Sequence, residues 1–426
     1  MAGGEGGVGV NVYLRTFGCR ANHYDTEAVR AMVEAGGHAV VASPSDADVA
    51  VFNSCAVTSE AEAELRKVVR HVARERPALR SIVMGCAAAL EHARPAALRL
   101  ASLPTVDRVV AGADLPELAS ALELSPTTMP LMTRIQSGTR ALLRIQDGCD
   151  EHCTFCATTL ARGANRSRPE GELVEEALAL AEHHPEIVIT GIHIGTYGAD
   201  IRSSLGELMQ RLVRDVSGAR FRLSSVEATE IDDALLELLV NAPSTLCPHV
   251  HAPLQSGSDA VLKRMGRHWY TSASYSAVID RLAGHMPTLG LGADVITGFP
   301  GETEDDHAAT IRMVESLPFT YLHVFPYSVR PGTPAERLSG RVQPSIATRR
   351  AAELRSLAAR KSAEYQLRRA GGSADVVVIG RGAERAGMTG DYLSVQLEPR
   401  PFEPGARFVG RLQASPGGGL QAILVE

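Results

Sequence analysis

The chain has 426 residues, of which 45% are hydrophobic, and its formal net charge at pH 7 is -6. This length and composition predict two or three domains with their own cores and argue against extended disorder. No apolar run approaches the roughly 20 residues that a membrane span needs, and the start lacks the features of a signal peptide, so we expect a cytoplasmic protein without membrane contacts. The negative charge argues against whole-surface attraction to nucleic acid, so any RNA contact must use a local basic patch.

Strand and helix patterns alternate along residues 8–124 and predict an α/β domain with a parallel sheet. Cys19, Cys55 and Cys86 each follow a predicted strand. One such cysteine alone indicates a buried free thiol. Three at equivalent strand ends are expected to meet in one crevice, because open α/β sheets bind ligands beyond the carboxyl ends of their strands. The predicted strands are 8–17, 39–42, 47–53, 81–85 and 108–111, and the predicted helices are 25–35 and 60–74.

A segment rich in Pro, Thr and Ser, residues 125–137, is typical of a linker and is followed by a second α/β domain at 138–370. Six strand-helix units predict an open, incomplete version of the eight-unit β/α barrel, with its chemistry at the carboxyl ends of the strands. The predicted strands are 140–146, 186–192, 220–226, 249–254, 292–297 and 321–325.

Three cysteines, Cys149, Cys153 and Cys156, lie in one short loop after the first predicted barrel strand. Thiolates are the soft ligands that iron-sulfur clusters require, and this spacing lets one loop bind three corners of a 4Fe-4S cube. The fourth iron has no local cysteine. A structural zinc site would normally have a fourth ligand, and a disulfide would leave one odd thiol in a reducing compartment, so both alternatives are disfavoured.

Further candidate positions end later strands of the barrel. Gly191 begins Gly-Ile-His-Ile-Gly, Glu227 follows Ser-Ser-Val, and Asp294 and Gly298 lie in Asp-Val-Ile-Thr-Gly-Phe-Pro-Gly-Glu. Glycine lets the backbone approach a ligand, and the carboxylate of Glu227 could bind a ribose or a cation. A tight turn or a solvated strand end explains each position equally well.

A pair of histidines, His249 and His251, shares one face of the fourth predicted strand and could mimic a metal pair. No carboxylate spacing completes that site. We therefore expect both to be core or cavity-lining histidines.

The segment 341–370 carries eight Arg or Lys against two Glu, in a predicted helix at 346–369. Arg349, Arg350 and Arg360 are our candidates for phosphate contacts with RNA, although a solvated helix face explains the charge equally well. The tail, 371–426, has short β-like runs broken by Gly and Pro and predicts a small β-barrel. It could be an RNA-binding domain or a structural cap.

The cysteine loop, with Phe155 before its last cysteine, resembles the CxxxCxxC signature of radical S-adenosylmethionine (SAM) enzymes. A second set of three cysteines ahead of this loop resembles radical SAM methylthiotransferases, and the resemblance extends from about residue 12 to 364. NSCAVTSEAE, PLQSGSDAVLKRM and ADVITGFPGETE look most like the MtaB-type tRNA enzymes. The chain departs from them in lacking a proline after the cysteine loop, and its tail resembles a TRAM-like RNA-binding barrel only loosely.

The resemblance implies two 4Fe-4S clusters and SAM as cofactors. An auxiliary cluster would be held by the N-terminal cysteines and a second cluster by the cysteine loop, whose open iron chelates SAM in that family and cleaves it to a 5'-deoxyadenosyl radical. The clusters and SAM carry the chemistry, so no side chain is expected as a catalytic acid or base. The residues expected to contact SAM are Phe155, Gly191, Glu227, Asp294 and Gly298.

The resemblance also implies a substrate and partners. We expect a monomer that converts N6-threonylcarbamoyladenosine at tRNA position 37 to its 2-methylthio form, with the tRNA bound through Arg349, Arg350 and Arg360. An electron donor such as flavodoxin or ferredoxin and a sulfur donor would assist. Two alternatives within the family are methylthiolation of isopentenyl-adenosine in tRNA and of a ribosomal-protein aspartate. A third, from another class, is a non-enzymatic iron-sulfur protein that binds RNA or carries electrons.

Overall fold

The computed structural model describes residues 9–56, 59–93, 99–124, 135–380, 382–415 and 418–425. These residues form two compact units. The first unit contains the described residues up to 124, together with Gly148–Asp150 and Ala157–Ala164, and the second contains the rest. Most of the predicted linker, 125–134, lies outside the described residues.

Five parallel strands form the sheet of the first unit, in the order β2-β1-β3-β4-β5. Val49 and Val51 of the central strand pack in one hydrophobic cluster, and Ala50 and Phe52 pack in another. Both faces of the sheet are therefore covered, which explains why this strand is a continuous apolar run. The strands are β1 (Asn11–Thr16), β2 (Ala39–Val41), β3 (Val49–Ser54), β4 (Arg80–Gly85) and β5 (Val106–Val109).

Two helices of the first unit begin at or directly after an N-terminal cysteine. Helix α1 starts at Arg20, five residues before the predicted start, and buries Val29, Met32 and Val33 at helical spacing. Helix α3 starts at Cys86 itself and was not predicted. The helices are α1 (Arg20–Ala35), α2 (Ser59–Glu75), α3 (Cys86–Ala93), α4 (Leu115–Ala121) and α5 (Thr158–Arg162).

Six parallel strands form an open partial barrel in the second unit, as predicted. Two three-stranded sheets, β10-β9-β6 and β11-β12-β13, are joined by a parallel bridge between Ser225 and His251. Strands β7 and β8 form a short antiparallel pair. The strands are β6 (Ala141–Arg144), β7 (Gln146–Asp147), β8 (Arg166–Ser167), β9 (Glu186–Thr190), β10 (Arg220–Leu223), β11 (His249–His251), β12 (Gly290–Thr297) and β13 (Tyr321–Pro326).

Amphipathic helices cover the outside of these strands. In α7, for example, Ser204 caps the N-terminus by accepting a 3.1 Å hydrogen bond from the Glu207 amide, and Leu205, Leu208 and Leu212 are buried in the core. No helix in the described part of the chain is both long and apolar enough to cross a membrane. The helices are α6 (Glu170–Ala181), α7 (Leu205–Asp215), α8 (Asp233–Asn241), α9 (Asp259–Arg264), α10 (Ser272–His285), α11 (Glu304–Ser316) and α12 (Pro344–Arg369).

The tail forms a small closed barrel with the strand order β14-β15-β16-β18-β17, which confirms the predicted β-barrel. Strand β15 was missed because Ala-Gly-Met-Thr has no alternation of apolar and polar residues. This barrel belongs to the second unit. The strands are β14 (Ser373–Ile379), β15 (Ala386–Thr389), β16 (Ser394–Leu397), β17 (Arg407–Ala414) and β18 (Leu420–Leu424).

Two arginines of β10 join the tail barrel to the partial barrel. Arg220 and Arg222 have no exposed surface. Arg222 donates to the carbonyls of Thr389 and Gly390, each at 2.9 Å, and Arg220 donates to the Asp375 carbonyl at 2.7 Å. Because these donors have no access to water, the tail barrel completes the hydrogen bonding of the partial barrel.

Candidate functional site

The three N-terminal cysteines lie at the carboxyl ends of neighbouring strands. Cys19 follows β1, Cys55 follows β3 and Cys86 follows β4. Gly18 has a φ of +105°, and a Cβ there would lie 2.5 Å from Sγ of Cys55, so only glycine lets the loop before Cys19 approach Cys55 so closely. Burial raises the pKa of Cys86 to about 12; Arg162 opposes this shift, and charge on Cys19 and Cys55 adds to it. Because β1, β3 and β4 are neighbours in the sheet, the three cysteines come together at one edge of it.

Asn22 of α1 holds these strand ends together. Its Nδ2 donates to the carbonyl of Phe17 at 3.0 Å and to that of Ser54 at 2.8 Å. Its Oδ1 lies 3.8 Å from Sγ of Cys19 and 3.6 Å from Sγ of Cys86. A buried amide thus fixes the relative positions of the loops that carry the thiols.

Arg162 is a further member of this site, which sequence reasoning missed. Its Nε donates to Sγ of Cys86 at 3.2 Å, and its Nη2 donates to Asn22 Oδ1 and to Asp25 Oδ2, each at 2.7 Å. Arg162 is buried. Three thiols beside a buried guanidinium are a donor set that fits an iron-sulfur cluster with three cysteine ligands, because the cation offsets the negative charge of the thiolates. The signal was the Ala-Arg-Gly that follows the cysteine loop.

The first cysteine of the loop belongs to the first unit. The Cys149 amide donates to the carbonyl of Gly163 at 3.0 Å. Gly148 has a φ of +76°, and a Cβ there would lie 1.9 Å from the Ala164 carbonyl oxygen. The backbone before Cys149 is therefore in tight contact with the chain that follows α5.

Cys153 and Cys156 belong to the second unit. The amide of Cys156 donates to the carbonyl of Cys153 at 3.1 Å, which closes a turn, and the Thr154 amide donates to Met265 at 2.8 Å. Phe155 packs edge-on against Phe299 with ring centroids 6.3 Å apart. This part of the loop is thus anchored on the partial barrel.

Glu227 lies beside Cys153 through a shared arginine. Arg267 forms a buried ion pair with Glu227, and its Nη1 lies 3.6 Å from Sγ of Cys153. Its Nε donates to the Tyr270 hydroxyl at 2.9 Å. Burial raises the pKa of Glu227, and Arg267 opposes that shift. Sequence reasoning found Glu227 but missed Arg267, which no motif marked.

Two of the predicted glycines have local packing reasons. A Cβ on Gly191 would lie 2.9 Å from both the carbonyl and the side-chain oxygen of Gln146. Gly298 has a φ of +74°, and a Cβ there would lie 2.4 Å from Cβ of Ala347 in α12. Its amide donates to Glu302 at 2.5 Å. Their contact with SAM stays a prediction.

A cluster of two histidines and a carboxylate lies on the inner face of the partial barrel. Oδ1 of Asp294 is 3.1 Å from Nε2 of His251 and 3.2 Å from Nδ1 of His323. The donor atoms all lie within 4.8 Å of one another, a set that could hold a metal ion. The expectation that no carboxylate completes a site here is therefore wrong, because Asp294 and His323 come from other strands. The expectation that His249 and His251 are core or cavity-lining histidines is confirmed, since both are buried. Burial would raise the pKa of Asp294, but the two histidines hold it well below its usual range.

His249 and His251 lie on the same face of β11, as predicted, because both contact Tyr321. The Tyr321 hydroxyl is 2.8 Å from Nε2 of His249 and 3.0 Å from Nδ1 of His251. Gly292 makes this possible, since a Cβ there would lie 2.0 Å from Cζ of Tyr321. The ring of Tyr321 thus orients His251 toward Asp294.

The candidate arginines of α12 all have carboxylate partners. Arg350 is 2% exposed and bonds Glu302 at 2.7 Å and Glu304 at 2.8 Å. Arg349 bonds Glu304 at 2.7 Å. The side chains of Arg349 and Arg360 are 49% and 57% exposed, so these two remain accessible from solution.

Family models match both units of the chain. Residues 11–110 match the model described as Uncharacterized protein family UPF0004, and residues 143–314 match the Radical SAM superfamily. A solved structure, the radical SAM methyltransferase TsrM from Kitasatospora setae, has a TM-score of 0.58 at 14% identity and covers 83% of this chain and 89% of that one. That similarity shows the fold alone.

Curated relatives cover most of the chain. The threonylcarbamoyladenosine tRNA methylthiotransferase MtaB of Thermotoga maritima is 35% identical over 84% of this chain and 84% of its own. The MtaB of Bacillus subtilis is 35% identical, and the match covers 83% of this chain and 81% of that protein. The tRNA-2-methylthio-N(6)-dimethylallyladenosine synthase of a Parafrankia strain is also 35% identical, with 82% and 74% covered.

Proposed function

This chain belongs to the radical SAM methylthiotransferase family, and from that premise we propose that it converts N6-threonylcarbamoyladenosine at tRNA position 37 to the 2-methylthio derivative. As a radical SAM enzyme it uses SAM and a 4Fe-4S cluster. The finer proposal, a second cluster, is supported by one observation above all. Cys19, Cys55 and Cys86 gather around Asn22 and Arg162.

The division of labour follows from where the thiols lie. We propose that the cysteine loop holds the cluster that binds SAM and that the N-terminal cysteines hold the auxiliary cluster. When bound, the first cluster supplies the electron that cleaves SAM to a radical, which the unactivated C2-H bond of adenine requires. The protein's part would be to bind and orient SAM, and the contact of Arg267 with both Glu227 and Cys153 supports Glu227 in this role.

The positively charged side chains have distinct parts in this proposal. Arg162 would offset the charge of the Cys86 thiolate, and Arg267 that of Cys153. The exposure of Arg349 and Arg360 supports them as tRNA phosphate contacts. Arg350 was proposed with them, and its burial between Glu302 and Glu304 supports a part in positioning α12. A reductase of the flavodoxin or ferredoxin class and a sulfur donor complete the proposal.

The two cysteine sets provide the test. We expect the anaerobically reconstituted protein to hold about eight irons, and Ala at Cys19, Cys55 and Cys86 to leave about four. SAM cleavage to 5'-deoxyadenosine should then persist while 2-methylthio nucleoside disappears. Ala at the three loop cysteines should abolish both. The matched control is Cys247→Ala, a buried cysteine outside both sets, which should keep the full iron content.

Nucleoside mass spectrometry of the reacted tRNA decides the substrate. The proposal expects 2-methylthio-N6-threonylcarbamoyladenosine. Product on dimethylallyladenosine instead would assign the chain to the other tRNA branch. Methylthiolated tRNA from the N-terminal triple variant would show that those cysteines are ordinary thiols and not cluster ligands.

A further inference from the structure

We propose that Asp294, which His251 holds in place, binds the polar N6 substituent and the base of the substrate adenosine together with His323 and Phe325. The inference rests on the proposed function, because it names the part of that substrate which this cluster recognises. The sequence motif that contains Asp294 predicted a contact with SAM, and the present inference assigns its carboxylate to the substrate instead.

The last strand of the partial barrel places these side chains on one face. Leu322 and Val324 of β13 pack into the core beneath the helices. Since successive side chains of a strand point to opposite faces, His323 and Phe325 point into the barrel. His323 has a side-chain exposure of 52%, and Phe325 is 41% exposed. A histidine and an aromatic ring are thus open to a ligand side by side.

Neighbouring strands supply the rest of the site. Asp294 of β12 is the register partner of His323, and the carboxylate reaches His251 at the end of β11. A carboxylate offers about four acceptor positions, and the two imidazoles use two of them. Asp294 can therefore accept further hydrogen bonds from a ligand, and its side chain is 27% exposed.

These groups match a threonylcarbamoyl substituent. That substituent carries amide N-H donors, which pair with the Asp294 carboxylate, and a hydroxyl, a carbonyl and a carboxylate, which pair with Nε2 of His323 as a donor. A dimethylallyl substituent offers only hydrocarbon and would bury Asp294 and His323 without replacing the hydrogen bonds that their exposed atoms make to water. Sites built from buried polar groups reject ligands that cannot pair with them far better than apolar pockets reject an extra group.

Phe325 supplies the second half of the recognition. Its ring lies edge-on to His323 with centroids 6.3 Å apart. Exposed aromatic rings stack on unpaired bases, and this stacking is indifferent to the substituent on the base. The site thus combines an aromatic ring that can stack on any base with polar side chains that recognise the N6 substituent. A metal ion could use the same three polar residues but would have no use for the exposed ring.

The test compares three anticodon stem-loop RNAs that differ only at N6 of the target adenosine: threonylcarbamoyl, dimethylallyl or no substituent. Binding to the reconstituted protein is measured anaerobically by fluorescence anisotropy. Wild type should bind the threonylcarbamoyl RNA at least about tenfold more tightly than either other RNA. In Asp294→Asn and His323→Gln this ratio should fall to within about twofold, while affinity for the unsubstituted RNA is retained. Phe325→Leu should weaken all three RNAs alike.

Controls separate the possible failures. His285→Gln, at an exposed histidine at the end of α10, should leave the ratio unchanged, and iron content and thermal unfolding check the fold of each variant. If the ratio survives in both polar variants, the inference is wrong. It is also overturned if wild type binds one zinc or iron beyond its clusters that Asp294→Asn lacks while the ratio is unchanged. Failure of wild type to methylthiolate the threonylcarbamoyl RNA would instead refute the proposed function.

Discussion

Arg162 donates a hydrogen bond from Nε to Sγ of Cys86 across 3.2 Å, although 76 positions separate the two residues in the chain. The donor ends α5, directly after the cysteine loop, and the acceptor begins α3. The same guanidinium bonds Asp25, which is 1% exposed. One side chain therefore connects the end of the cysteine loop to the N-terminal thiols within the first unit.

Replacing Arg162 should destabilise the first unit. Arg162→Met removes the cation that pairs with the buried Asp25 carboxylate at 2.7 Å, and breaking a buried ion pair in this way costs about 3–5 kcal/mol. Arg162→Lys should lower the free energy of unfolding by a smaller amount, because lysine keeps the positive charge. It should still be less stable than wild type, because lysine lacks the planar guanidinium that reaches Asn22, Asp25 and Cys86 together. Urea unfolding of the cluster-free chain measures the loss.

The double variant provides the control for this prediction. Asp25→Asn in the Arg162→Met background should recover part of the stability, because it removes the buried negative charge that Arg162 neutralised. If Arg162→Met alone is as stable as wild type, the ion pair contributes nothing to folding.

A second buried network should give the protein a pH-dependent stability. The Glu186 carboxylate forms ion pairs with the guanidinium groups of Arg222, at 2.8 Å, and Arg220, at 2.7 Å, and all three residues are fully buried. Burial alone would raise the pKa of Glu186, but Arg222, Arg220 and Arg140 hold it well below its usual range. A depressed carboxyl pKa stabilises the folded state above the unfolded pKa of 4.5, and this contribution is lost as the pH falls.

Glu186→Gln should therefore be less stable than wild type by about 3–5 kcal/mol at pH 7. The difference should narrow below about pH 4.5, where the unfolded wild-type carboxyl takes up a proton. Urea unfolding of the cluster-free chain between pH 3 and 8 measures both. A difference that does not change with pH would show that packing, not charge, makes Glu186 important.

The tail barrel should behave as part of the second unit and not as a loose appendage. Asp391 accepts hydrogen bonds from the Tyr365 hydroxyl and from Arg369 Nε of α12, each at 2.7 Å. Asp391→Asn should loosen this joint, so that proteases cleave near residue 370 faster than in wild type. Glu384→Gln, an exposed carboxylate on the same barrel, is the matched control and should not change the cleavage rate. Equal rates in both variants would favour an independent tail.

Local patterns predicted the elements that depend on nearby residues. The alternation of strands and helices gave the sheet, the six-stranded partial barrel and the cysteines at strand ends, because these follow from spacing along a short segment. The start of α1 was predicted too late. Asn22 is a polar residue in its first turn, which is typical of a loop, but it is buried by contacts with distant residues.

Local sequence patterns could not predict which residues pair with each charged side chain. Cys153 and Arg267 are 114 positions apart, and His251 is joined to Asp294 from another strand. The basic segment shows the same limit, because a count of charges cannot reveal that Arg350 is buried between Glu302 and Glu304. Only the fold decides whether an arginine faces solvent or a carboxylate.

The basic helix α12 should therefore divide into RNA-binding residues and structural residues. Arg349→Ala with Arg360→Ala should weaken tRNA binding and flatten its salt dependence by a little under one unit of log-log slope for each phosphate that is no longer neutralised. Arg350→Ala should lower stability by about 3–5 kcal/mol through the stranded Glu302, with no change in slope if the protein is folded. Filter binding across a series of salt concentrations gives both affinity and slope.

Arg214→Ala is the matched control for this last prediction, because Arg214 is also exposed, at 71%, and also paired with a neighbouring carboxylate, Asp215. It lies on α7, outside the basic segment, and should leave both affinity and slope unchanged. Arg349 and Arg360 already have carboxylate partners, so a tRNA phosphate must compete with Glu304 and Glu315 for them. If the double variant keeps the wild-type slope, Arg349 and Arg360 stay paired with those carboxylates and do not bind phosphate, and the basic face of α12 is solvated.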